Sequence, residues 1–118
     1  MNKRIRFTII FSTPDFPYQE VLDWLSPKLG ELFAGACCHA IDGVWSKDGD
    51  QNKAQYKKGE IEKGMKILLS VTSDKQEQSK QQIKEIFQDL KKELGLHISW
   101  IHLEQEEIEA NHFYLPPC

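Results

Sequence analysis

Residues 4–12 read RIRFTIIFS and residues 65–71 read MKILLSV. Both alternate with the period of an extended strand. In the first, Ile5, Phe7, Ile9 and Phe11 point one way, and Arg6, Thr8, Ile10 and Ser12 the other. In the second, Met65, Ile67, Leu69 and Val71 share a side, opposite Lys66, Leu68 and Ser70. Each stretch therefore predicts a strand with one buried face and one mixed face. The fold depends on the segments between and beyond them.

After the first strand, Thr13-Pro14-Asp15-Phe16-Pro17 holds two prolines and breaks the pattern. A helix is predicted over about 17–34. Tyr18, Val21, Leu22, Leu25, Leu29, Leu32 and Phe33 fall on one stripe. Pro17 suits the first turn, and Glu20 and Asp23 sit where the helix dipole favours acid. Ser26-Pro27 lies inside the stripe, so a kink or a split into two helices is expected. Gly35 is the expected stop. Residues 36–45, ACCHAIDGVW, predict a second strand. Its core face is either Cys37, His39, Ile41, Gly43 and Trp45, or Cys38, Ala40, Asp42 and Val44. Residues 46–60 are polar, with Gly49 and Gly59, and predict one long loop.

The third strand is predicted over 61–73, and Ser73 or Asp74 can cap the next helix. Ile83, Ile86, Phe87, Leu90 and Leu94 make that helix's narrow apolar stripe, and Gly95 ends it. A fourth strand is predicted over 96–104, LHISWIHLE, leaving a tail from Gln105 to Cys118.

The order is β-α-β-β-α-β. Each helix has one apolar stripe, so both must cover the same side of one sheet. Right-handed crossovers then give an α+β, ferredoxin-like sandwich with antiparallel order 4-1-3-2 and both helices on one face. Residues 1–104 form the predicted single domain, and 105–118 its C-terminal tail. The other sheet face is open in a monomer. It carries Arg6, Thr8, Ile10, Lys66, Leu68 and Ser70, with parts of the second and fourth strands. Such a mixed surface is expected to be covered by a second subunit; the alternative is that the tail folds across it.

Composition agrees with one folded domain. The chain has 118 residues, 40% hydrophobic and 28% charged. That is too apolar for a disordered chain and long enough for a real core. Fifteen basic and 18 acidic side chains give a net charge of −3, which disfavours nucleic acid as a partner. A ferredoxin-like sheet that reads RNA also needs aromatics on the open face of its first and third strands, and KGMKILLSVTSD has none. No stretch approaches the 18 or so apolar residues of a membrane span, and Phe7–Phe11 is too short for a signal sequence. Three cysteines, Cys37, Cys38 and Cys118, do not make a disulfide framework. A cytoplasmic protein with reduced thiols is expected.

Candidate chemistry is sparse. Cys37 and His39 could share a strand face while Cys38 could not, but no spaced cysteine pair completes a metal site. No metal and no cofactor are expected. His97 and His102 are five apart, hence on opposite sides of one strand. His39 or His102 could act as acid or base near neutral pH. No nucleophile elbow, dinucleotide fingerprint or phosphate loop occurs. Asp48-Gly49-Asp50 lacks the order of a calcium loop. Trp45 lies where strand meets loop and could wall a pocket with Tyr56, Trp100 and loop lysines. The candidate ligand-binding set is thus Arg6, His39, Trp45, Tyr56, Trp100 and His102.

Gly43-x-Trp45, the polar loop with Asp48-Gly49 and the strand KILLSV together resemble a bacterial family of small ferredoxin-like α+β domains with a G-x-W motif. This chain lacks that family's T-P-x-F-P-x-G-type segment after the first helix. In topology alone it also resembles the PII-type signalling proteins, which are trimers, and the dimeric α+β barrel proteins. The last resemblance implies a dimer closed over the open sheet faces. Two functions are carried forward. One is a non-catalytic, homo-oligomeric module, dimer or trimer, that binds a small molecule or a protein and can serve regulation. The other is a small cofactor-independent enzyme of the dimeric barrel type with a histidine-containing pocket.

Overall fold

The computed structural model describes residues 2–44 and 61–118. Its elements run β1 (Lys3–Ser12), α1 (Tyr18–Phe33), β2 (Cys37–Val44), β3 (Ile61–Val71), α2 (Gln76–Leu94) and β4 (His102–Glu109). The four strands form one antiparallel sheet in the order β2-β3-β1-β4. This is the expected order read from the other edge. The chain is α+β.

The two opening stretches behave as their alternation requires. Ile5 pairs with Val71, Phe7 with Leu69, Ile9 with Ile67 and Phe11 with Met65. All eight are buried, and they join Val21, Leu25, Leu29 and Phe33 of α1 and Ile83, Ile86, Phe87 and Leu90 of α2 in one core. Both helices therefore cover the odd-numbered side of β1 and β3. Phe11 anchors one end of this core, edge-on to Phe87 with ring centroids 4.8 Å apart and to Phe16 at 5.5 Å.

α1 crosses Pro27 as a single helix. Pro27 has no N–H to donate to the Asp23 carbonyl, and one residue earlier the Ser26 hydroxyl donates to the Leu22 carbonyl at 2.6 Å. α1 ends one residue before the expected glycine, with Ala34 left-handed at φ 59°. α2 ends on left-handed Gly95, and the Leu96 N–H closes back on the Lys91 carbonyl at 3.1 Å.

The fourth strand differs from the expected 96–104. Residues 96–101 are irregular, with Ile98 buried in the core, and the strand runs from His102 to Glu109. Residues 105–109, expected in the tail, pair with Ile5–Phe7 and with Lys3 and Arg4 of β1. Hydrophobic alternation could not mark this strand, because only Leu103 and Ile108 in HLEQEEIE are apolar. Its eight-residue antiparallel pairing with β1 holds it in place, and charge favours this register. The acidic run lies against the basic start of β1, with Arg6 opposite Glu106 and Lys3 opposite Glu109. No helix among the described residues is long and apolar enough to cross a membrane.

Candidate functional site

The strand registers fix the composition of the face away from the helices. Directly opposed residues share a side. One row across the sheet reads Ser70, Arg6, Glu106. The next reads Cys37, Leu68, Thr8, Glu104. The third reads His39, Lys66, Ile10, His102, and below it lie Ile41, Gly64 and Ser12. Arg4 and Ile108 close the far end. β2 thus turns Cys37, His39 and Ile41 outward and Cys38 toward the core, which settles which of its two faces is covered.

Several polar groups on this face hold one another, while Lys66 and His39 have no side-chain partner among the described residues. Arg6 Nε donates to Glu106 Oε1 at 3.0 Å, and its Nη2 reaches the same oxygen. Arg4 grips Ser70 twice, Nε to Oγ and Nη2 to the carbonyl, both at 2.9 Å. The Ser12 hydroxyl donates to Glu62 at 2.7 Å. His102 Nε2 meets Glu104 Oε2 at 2.8 Å. Among these groups Ile10, Ile41, Leu68 and Ile108 are all half-buried. They are too apolar for a free surface of a strand and too exposed for a core.

The predicted ligand-binding residues are only partly brought together. Arg6 sits centrally on the face. His39 and His102 lie in one cross-strand row, but on opposite edge strands, with Lys66 and Ile10 between them. Three strand spacings separate them by about 14 Å, so they do not converge within one chain. Trp100 is 76% exposed in the irregular segment before β4, not on the sheet as its expected place in a strand required. Trp45 and Tyr56 lie outside the described residues. Sequence reasoning overlooks Arg4, Glu104, Glu106 and Ile108; Glu106 and Ile108 lie in the part of β4 expected as tail, and Glu104 is the last residue of the expected strand. The signal is present in the opposite charges of KRIR at 3–6 and EQEEIE at 104–109.

The cysteines are free thiols. Burial pushes the Cys38 thiol above its ordinary range, and the neighbouring Cys37 adds to the shift. Among the described residues no group of three or more His, Cys, Asp or Glu side chains could hold a metal ion.

A last feature flanks the site. Beyond β4 the chain stays beside β1, with the Ala110 N–H on the Asn2 carbonyl at 2.9 Å and the Asn2 amide on Asn111 Oδ1 at 2.5 Å. Phe113, Tyr114 and Leu115 come next, and all three are 77–81% exposed. The tail therefore does not cover its own sheet face. No protein-family model matches the chain, and comparison with curated proteins finds no match.

Proposed function

We propose that this chain is a non-catalytic, homo-oligomeric binding module of the ferredoxin-like βαββαβ type, and that the sheet face away from the helices is its association and binding surface. One observation carries this reading. Ile10, Ile41, Leu68 and Ile108 stand half-exposed on a face whose arginines and glutamates already hold partners. Completing the burial of each side chain contributes about 1 kcal/mol. Covering the face leaves the hydrogen bonds of Arg4, Arg6 and Glu104 in place, while Lys66 and His39 must meet a polar group of the other copy or water. The β4 edge is a poor alternative, since Glu104, Glu106, Glu107 and Glu109 would meet their like in a symmetric pairing. The enzyme reading would use His39 or His102 singly in a pocket between subunits, since the two stand about 14 Å apart within one chain.

Sedimentation of the purified protein tests the proposal. At about 50 μM, where an association with Kd near 10 μM is well populated, the wild type is expected to be a dimer or trimer. Leu68→Asp is expected to be monomeric with an unchanged circular dichroism spectrum. A monomeric wild type at that concentration overturns the proposal. A small molecule bound in the residual space between faces would be seen as a co-purifying mass in native mass spectrometry of the oligomer.

A further inference from the structure

We infer that the segment 112–118, HFYLPPC, docks on the open sheet face of a second copy, each copy lending its segment to the other. The inference rests on the association surface proposed above and names its occupant.

Three observations support a reciprocal exchange. The first is area. Phe113, Tyr114 and Leu115 are 80%, 81% and 77% exposed, an unbroken apolar run that no described residue of its own chain covers. Buried, they would remove about 450 Å² from water. Counting the matching area on the face and the second segment, the exchange buries about 1,800 Å², the size of a standard stable interface.

The second is charge. The segment has no acidic, lysine or arginine side chain. On the face it meets, Arg6 is ion-paired with Glu106 and His102 lies within hydrogen-bond distance of Glu104. A segment without charged side chains meets no like charge there, and its backbone carbonyls can accept from Lys66, whose ammonium has no partner among the described residues.

The third is direction and stiffness. Residues 110–111 are held beside Asn2, so the chain leaves past the end of the sheet. To cover its own face it would have to reverse just after residue 110, and the exposure of Phe113, Tyr114 and Leu115 shows that it does not. Pro116 and Pro117 bias Leu115 and the last residues toward extended backbone. An extended segment of seven residues reaches about 23 Å, which matches the roughly 20 Å between the Arg4 and Ile10 rows of a face. Little ordering entropy is then lost on docking.

The test uses two full-length variants, Phe113→Ser/Tyr114→Ser/Leu115→Ser with an intact face, and Leu68→Asp with an intact segment. The serine variant is expected to fold as the wild type does, because it changes only exposed side chains, and to dimerise at least about 100-fold more weakly. Each variant alone is expected to sediment as a monomer. Their equimolar mixture is expected to form heterodimers, since one intact segment then meets one intact face. If the serine variant dimerises like the wild type, the exchange is wrong and the proposed association surface stands. If the serine variant is monomeric but the mixture stays monomeric too, the segment does not act across copies and the inference is overturned. A monomeric wild type removes the proposed surface and the exchange together.

Discussion

At the scale of single residues, Gly64 shows how tightly β1 and β3 approach. It stands opposite Ser12 in the register. A Cβ there would fall on the Phe11 carbonyl oxygen and lie 2.7 Å from Ser12 Cβ. Two of the atoms it would meet are backbone, so they cannot swing aside. Gly64→Ala is expected to lower stability by about 1–3 kcal/mol, seen as a lower denaturant midpoint with an unchanged slope. Cys38 offers a second check. It is held against the core with its thiol favoured over the thiolate, while Cys37 and Cys118 are exposed. Alkylation and mass spectrometry at pH 8 of the Leu68→Asp variant, in which the face and the segment are free, are expected to find Cys37 and Cys118 modified several-fold faster than Cys38. The shift also fixes a sign for stability. A raised folded-state value favours the protonated form, so the contribution is full below the ordinary thiol range. It is lost as pH rises through that range to the folded value.

At the scale of elements, the legible parts are those that bury an apolar side. β1 and β3 alternate without fault, and both helices carry stripes that reach the core. β2 is ambiguous in sequence because its two faces, one with His39 and Ile41 and one with Ala40 and Asp42, differ little in polarity; only its register on β3 separates them. β4 escapes the hydrophobic pattern because it is an edge strand that buries almost nothing and is kept by pairing with cationic β1. The candidate site inherits that error, losing Glu106 and Ile108 and gaining Trp100. α1 shows the opposite case, a local signal overruled. Pro27 is exposed inside an unbroken helix whose buried face, Val21, Leu25, Leu29 and Phe33, holds it to the sheet. Packing across those four residues outweighs one missing hydrogen bond. Pro27→Ala is expected to restore that bond and raise stability by about 1–3 kcal/mol, less the entropy the proline removes from the unfolded chain. Thermal unfolding would show it; a fall in Tm would mean that Pro27 sets a packing angle α1 requires.

At the scale of the whole molecule, two kinds of surface lie on opposite sides of β1. Toward the helices its side chains are fully enclosed, and toward the open face they alternate between arginine, threonine and isoleucine. The arginines of that open face are spent on their own neighbours, Arg6 on Glu106 and Arg4 on Ser70. A proposed assembly through this face should therefore be driven by apolar area rather than by attraction between copies. This separates it from an ionic interface by an experiment that needs no variant. Salt screens exposed charges over about 8 Å at physiological strength and about 3 Å at 1 M. An interface built on ion pairs between copies weakens steeply over that range. The proposed assembly is expected to change its dissociation constant by less than about threefold between roughly 0.1 and 1 M sodium chloride, and to tighten in sodium sulfate, which strengthens apolar burial. Its heat-capacity change of association is expected to be negative, as removal of apolar surface from water requires. Sedimentation across the salt series and titration calorimetry by dilution at several temperatures provide the two measurements. Weakening of about tenfold or more with chloride would show that a charge reaches across to the other copy, either Lys66 or an Arg6 that exchanges its Glu106 partner on assembly.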